Sequence, residues 1–264
     1  MKKRSFVLIF TAALVCMTGC GVAVVGDKEA NTVADIVYEN SAGHECRVYV
    51  LEEEVYTPYL VISDDYGGNV LLLREHVTEE TVVYKDTRLF NVAASYYPES
   101  DVDAYLTNVF LERFSDGLKD MMAESQVVVT AKDKITGENY KHHTEIIERK
   151  LFLLSAAELG VHNSMMTEEG EKLDYFADNE SPGFQWLRSA HLWDDVHAWG
   201  IQPEGAFSAP VSREYALRPS FCLPTDTKIA ESDTIVDGET VFVLSADIPG
   251  DGAVEKNENT AASI

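Results

Sequence analysis

Along most of the chain, apolar residues come in short blocks separated by polar clusters. That spacing predicts many brief strands and few helices. Pro58 to Ser63 and Asn69 to Arg74 are strand-like runs flanking Asp64-Asp65-Tyr66-Gly67-Gly68, a turn composition, so a hairpin is expected. Ser100 precedes a run in which Val102, Leu106, Val109, Phe110 and Phe114 recur at helical spacing. Asp103 stands three residues after it, as in a capping box. Gly117 is expected to interrupt that helix, and Leu118 to Ala123 to add a second short one. Val127 to Thr130 and Lys150 to Ser155 predict strands, with residues 131 to 146 between them as an exposed excursion. Ser155-Ala-Ala-Glu158 spells a second capping box, stopped early by Gly160. A polar connection follows over 161 to 183, with a short helix at Lys172 to Phe176. Thr234 to Leu244 carries Asp237-Gly238 between β-branched residues, a strong hairpin signal.

The ends of the chain read differently from its middle. Lys2, Lys3 and Arg4 precede the apolar run Ser5 to Cys16, which is short for a permanent membrane helix. Met17-Thr18-Gly19-Cys20 follows at once. This segment resembles the signal of bacterial lipoproteins, with Met17 where Leu is commoner. The resemblance implies cleavage before Cys20 and acylation of its thiol, hence an exported protein anchored by lipid to the outer face of the cell membrane. Residues 1–19 are then a signal peptide and 20–33 a tether. One domain is expected over 34–248, with a polar, disordered tail over 249–264.

Composition sharpens this picture. The chain has 264 residues, 45% of them hydrophobic, which suffices for a sizeable core. It carries 45 acids against 21 bases, a formal charge of −24. Removing the signal takes away three bases and no acid. So acidic a body repels nucleic-acid phosphates and anionic lipid, so the acyl chains alone must hold it at the membrane. Beyond the signal and lipid cysteines, Cys46 and Cys222 remain. Export permits a disulfide between them, and two buried thiols are the alternative.

Leu71-Leu-Leu-Arg74, Tyr97 to Phe110, Leu151-Phe-Leu-Leu-Ser155 with Glu158, Trp186-Leu-Arg-Ser189 and Leu217-Arg-Pro-Ser-Phe-Cys-Leu223 occur in that order. The ordered set resembles an uncharacterised domain family of exported bacterial proteins. Its hallmark is W-L-R-S followed downstream by R-P-x-F-x-L. That family is in turn distantly similar to the C-type-lectin-like fold, shared with formylglycine-generating enzymes. The resemblance covers about residues 56 to 246. It implies a single α+β domain of short strands and a few helices, and it brings no activity. Trp186, Arg188 and Arg218 are expected to hold the fold, because a planar guanidinium makes durable buried pairs.

The densest constellation of chemistry-bearing side chains is His191, Trp193, Asp194, Asp195, His197 and Trp199. On a strand, alternation would place His191, Trp193, Asp195, His197 and Trp199 on one face. There indoles could stack a sugar ring while carboxylates bind its hydroxyls. The alternative is a solvated loop whose tryptophans pack on the domain. No metal or cofactor is expected, since no ligand spacing such as H-E-x-x-H occurs. No serine-hydrolase motif occurs either, and the single Cys222 sits in an apolar run. The sequence therefore points to a surface binding protein for an extracellular glycan or protein. Alternatives are a divergent enzyme related to formylglycine-generating oxidases, a carboxylate-based hydrolase, or an interaction module without a small ligand. The anchoring expectation is tested by metabolic labelling with a fatty acid. The wild-type chain is expected to take up label and the Cys20→Ala variant none.

Overall fold

The computed structural model describes residues 31–38, 46–86, 93–138, 143–179, 181, 183–192, 194–236 and 239–247. The expected signal, Cys20, most of the tether, the tail and Trp193 lie outside them. The fold is mixed α+β with several sheets and few helices.

Strands β1 (Arg47–Glu52), β2 (Val55–Ser63) and β3 (Val70–Arg74) form a meander. The hairpin expected between β2 and β3 is present. Its turn uses Gly67 and Gly68 at φ of +66° and +84°, and the Asp65 carboxylate accepts the Gly68 N–H at 2.9 Å. After β4 (Thr81–Val83) come α1 (Asp101–Asn108), α2 (Asp116–Met121), β5 (Ser125–Thr130), α3 (Lys132–Thr136), β6 (Thr144–Arg149) and β7 (Leu151–Phe152). Then follow α4 (Tyr175–Asp178), β8 (Gln185–Ala190), β9 (His197–Gln202), β10 (Gly205–Pro210), β11 (Glu214–Ala216), β12 (Ser220–Leu223), β13 (Ile229–Val236) and β14 (Glu239–Leu244).

Among the described residues these strands form three sheets. One runs β13-β14-β1-β2-β3-β12-β7, the second β10-β9-β8-β11-β4, and β5 pairs with β6 alone. Strand β14 lies parallel to β1, so the last strand closes onto the first. Thr32 bridges Lys228 and the Val33 N–H donates to the Thr227 carbonyl, so the end of the expected tether is already built into the fold.

One core spans the two large sheets. Leu71, Leu72, Phe110, Phe152, Trp186 and Phe221 are all inaccessible to solvent. Each such side chain contributes about 1.5–3 kcal/mol. Ser100 caps α1 by accepting the Asp103 N–H at 3.0 Å, as its spacing predicts. Val102, Leu106, Phe110 and Phe114 face the core, but Val109 is 51% exposed. The helix ends at Asn108 and continues as the tighter 3-10 helix Phe110–Arg113, which turns Val109 outward. Gly117 does not end that helix: it sits inside α2, capped by Ser115.

The 131–146 excursion is a correction. It contains α3, closed by Gly137 in the left-handed conformation, and the start of β6. The strand was hidden because Glu145-Ile146-Ile147-Glu148 breaks the apolar–polar alternation. Its pairing with β5 is what makes it a strand. Ser155 and Glu158 exchange both capping-box bonds, at 2.9 and 3.1 Å, around a turn and not a helix.

Cys46 and Cys222 are both buried thiols. The candidate disulfide fails on topology. Cys46 leads into β1 and Cys222 lies on β12, with β2 and β3 between. Three strand spacings of about 4.8 Å separate them, well beyond the Cα separation that a bridge tolerates. No helix among the described residues is long and apolar enough to cross a membrane.

At Gly200 on β9, an added Cβ would meet the Phe207 ring at 2.4 Å and the Gln185 carbonyl at 2.7 Å. Gly200→Ala is therefore expected to destabilise the fold by about 1–3 kcal/mol, the range for overpacking. Chemical denaturation checks this, with Gly205→Ala, open within 4 Å but strained at φ +125°, for comparison.

Candidate functional site

Of the residues expected on one strand face, His191, Asp195, His197 and Trp199 do not share one, and Trp193 lies outside the described residues. His191 ends the approach from β8, His197 opens β9, and the chain reverses between them. The His191 ring stacks on the Trp199 indole, with centroids 5.2 Å apart and planes 14° apart. Trp199 is 5% exposed, so its face is covered by protein and offers no platform for a sugar. His197 Nδ1 lies 2.8 Å from Asp194 Oδ2. Burial pushes the Asp194 carboxyl up, but the His197 imidazole and the Val196 N–H more than offset it, and its pKa lies below the usual value. Asp195 contributes its carbonyl oxygen, which accepts the Ser95 N–H at 3.0 Å. The structure thus joins His191, Asp194, His197 and Trp199 as a packed turn. It takes the alternative reading, a loop whose tryptophan packs on the domain. Among the described residues no three His, Cys, Asp or Glu side chains gather closely enough to hold a metal ion.

Arg188, expected to hold the fold, lies in the domain interior. Its side chain is inaccessible to solvent. Nε donates to the Val128 carbonyl at 2.9 Å. One terminal nitrogen reaches the Leu153 carbonyl at 2.8 Å and Glu158 Oε2 at 2.7 Å. The other reaches Glu158 Oε1 at 2.7 Å and the Glu169 carbonyl at 3.0 Å. A guanidinium has five donors, and each of these bonds occupies one. Glu158 also accepts the Tyr66 hydroxyl at 2.7 Å and the Ser155 N–H at 2.9 Å.

Glu169 completes the cluster. Its carboxylate accepts the Thr130 N–H at 2.7 Å and the Thr130 and Ser189 hydroxyls. Burial pushes its pKa up, against the pull of Arg188, Ser189 and Thr130. Sequence reasoning missed Glu169 and Tyr66. Glu169 sits in the polar run Thr167-Glu168-Glu169-Gly170, which reads as surface. The one local signal is Gly170, at φ +102°, where a Cβ would come within 3.1 Å of Glu158 Oε1.

The two other signature residues are also internal. Trp186 donates through Nε1 to the Val82 carbonyl at 2.9 Å and meets Tyr84 and Tyr215 edge-on. Arg218 is 4% exposed and donates to the Arg74 carbonyl at 2.7 Å. Burial lowers its pKa to about 10, although Tyr175 and Glu75 oppose that shift.

A concavity lies elsewhere, between α1 and the β6–β7 connection. It is an open groove of about 570 Å³ whose lining includes Asp101, Thr107, Asn108, Glu124, Glu148 and Lys150. Arg149 makes two bonds to Asp103, at 2.9 and 2.7 Å, on its wall. Lys85 and Lys150 are likewise held, by Asp101 and by the Lys119 carbonyl. A second cleft of about 320 Å³ opens over Tyr66, Gln126, Val128 and Lys172.

Removing one partner of the buried ion pair strands the other. Arg188→Met is therefore expected to cost about 3–5 kcal/mol and to leave little folded protein. Urea denaturation would show it, with the paired variant Arg188→Met/Glu158→Gln losing less than the sum of the single changes.

No curated protein and no solved structure matches the chain. A family model does, over residues 67–225, which include β3, the Arg188 cluster except Tyr66, the groove and β12. These residues make up more than half of the sequence, and the chain belongs to the family described as a domain of unknown function, DUF6273.

Proposed function

We propose that this chain is a lipid-anchored, surface-exposed binding protein that recognises an extracellular glycan or protein and catalyses no reaction. The observation that carries this reading is the groove beside α1, a large open concavity with exposed hydroxyl, amide and carboxylate groups at Thr107, Asn108 and Glu124. Such groups bind hydroxyls and peptide groups without needing a shifted pKa.

The buried polar groups argue against the enzymatic alternatives. Arg188, Glu158 and Glu169 are committed to one another and to backbone carbonyls, away from solvent. Cys222 is inaccessible, and burial raises its thiol pKa to about 12, which leaves no thiolate for oxidase-type chemistry. Export and lipidation rest on the lipoprotein-like signal ending at Cys20. The lectin-like ancestry rests on the ordered motifs. Its support is that Trp186, Arg188 and Arg218 all lie buried in the domain interior.

An array of glycans and extracellular proteins tests the reading, probed with the soluble Cys20→Ala chain. Specific hits are expected, and Thr107→Trp, which fills the groove from an exposed helix position, is expected to remove them without moving the melting temperature. An array without hits, or hits that survive Thr107→Trp, would sink the groove as the binding site.

A further inference from the structure

Strand β6 is the outer member of a two-stranded ribbon, and its backbone polarity can be read from its partner. The Val128 carbonyl accepts from Arg188, and the Thr130 N–H donates to Glu169. Those groups on β5 therefore point away from β6. In an antiparallel pair, a residue's N–H and C=O point to the same side, and the sides alternate along the strand. Val128 pairs with Ile146, Thr130 with Thr144 and Gln126 with Glu148. Thr144, Ile146 and Glu148 consequently turn their N–H and C=O groups outward. The Ala131 N–H to His143 carbonyl bond, at 3.2 Å, fits the same phase. Among the described residues, the only partner recorded on this outer row is the Arg149 side chain, on the Glu148 carbonyl at 2.8 Å.

An exposed edge of this kind is ordinarily blunted by lysine, proline, a bulge or a covering segment. Here the six-residue pairing has an unbroken register, and Ile146 at its centre is 63% exposed. The strand contains neither proline nor lysine. Its one cation, Arg149, is bound to Asp103.

We infer that β6 is a docking edge for an extended polypeptide segment carrying lysine or arginine, which adds as a third strand to the β5–β6 ribbon. Main-chain hydrogen bonds to Thr144 and Ile146 would supply the pairing, with Ile146 contacting an apolar side chain of the segment. Charge selects the occupant. Glu148 and Glu124 are exposed and bonded to no described residue, whereas Arg149 and Lys150 are already committed. A second copy of this chain would bring another strongly acidic body to the same edge, which its net charge of −24 opposes. This docking edge shares Glu124 and Glu148 with the groove wall, but its main-chain pairing at Thr144 and Ile146 goes beyond the groove reading and does not depend on it.

The test uses the Cys20→Ala chain and three short fluorescent peptides: one alternating lysine and valine, one alternating glutamate and valine, and the lysine peptide N-methylated at every second residue. Saturable polarisation change is expected with the lysine peptide alone. The N-methylated peptide keeps the charge but cannot donate along one edge, so it is expected to bind at least about tenfold more weakly. Ile146→Pro removes the outward N–H together with the exposed isoleucine side chain and leaves the β5 pairing intact, as proline does on edge strands. It is expected to weaken the lysine peptide similarly with circular dichroism unchanged. Thr107→Trp is expected to leave it unaltered.

Equal binding of the methylated and unmethylated peptides would reduce the effect to charge attraction and overturn the proposal. So would lysine-peptide binding that Thr107→Trp abolishes, no binding at all, or a dimer in sedimentation that Ile146→Pro dissolves. If Ile146→Pro does not fold, the methylated peptide decides alone.

Discussion

A guanidinium without access to water must find a partner for every N–H, and this demand organises the centre of the molecule. Arg188 meets it with carbonyls from Val128, Leu153 and Glu169 and with both oxygens of Glu158. Those acceptors come from β5, from the segment after β7 and from the loop before α4. Segments far apart in sequence therefore have to meet at one point, in register, for the charge to be tolerated. The cost of leaving any one acceptor out is the desolvation of an uncompensated donor. Hydrophobic burial would bring the sheets together in many ways, and the guanidinium accepts one of them.

The same cluster has an imbalance in its charges. Two carboxylates, Glu158 and Glu169, surround one guanidinium, and both are buried. Glu158 takes the bidentate pairing, and Glu169 is left with hydroxyls and one N–H. Burial raises the pKa of Glu169, which moves the cluster toward one negative and one positive charge. A protonated Glu169 could itself donate to Ser189, whose hydroxyl also accepts the Ala156 N–H at 2.9 Å. The cluster is thus a hydrogen-bond network built around one bidentate ion pair, with the second carboxylate held by hydroxyls and one N–H.

Much of the fold was legible because local chemistry and tertiary structure agree. The β2–β3 turn needs left-handed residues and has Gly67 and Gly68, and α1 needs a cap and has Ser100. The Trp186, Arg188 and Arg218 signature reads as structural, and all three are buried. What was not legible lies where partners are remote. Glu145-Ile146-Ile147-Glu148 has no strand period of its own and becomes β6 only against β5. Ser155 and Glu158 make the capping-box bonds but no helix, because Glu158 is held by Arg188 and Tyr66. The strand alternation expected across 191–199 fails for the same reason. The chain reverses there and buries Trp199 under His191. A turn with no glycine or proline gives no local warning that a strand has ended.

These placements separate what makes the fold from what can meet a partner. The W-L-R-S segment is spent internally, with Trp186 on Tyr84 and Tyr215, Arg188 in the ion-pair cluster, and Ser189 on Glu169. Any chain that keeps those residues keeps the cluster and hence the way β5, β7 and β8 meet. It does not thereby keep a ligand, because none of these side chains reaches the surface. Under the proposed binding function, specificity would instead lie in exposed positions: Thr107 and Asn108 on α1, Glu124 before β5, and Ile146 on the β6 edge. Substitution there costs little stability, since surface changes away from caps and networks usually stay within about 0.5 kcal/mol. A strongly specified interior and weakly specified rims are what one expects of a scaffold that can change partners without refolding, and on the proposed binding function the net charge of −24 would favour cationic or neutral ligands over anionic ones.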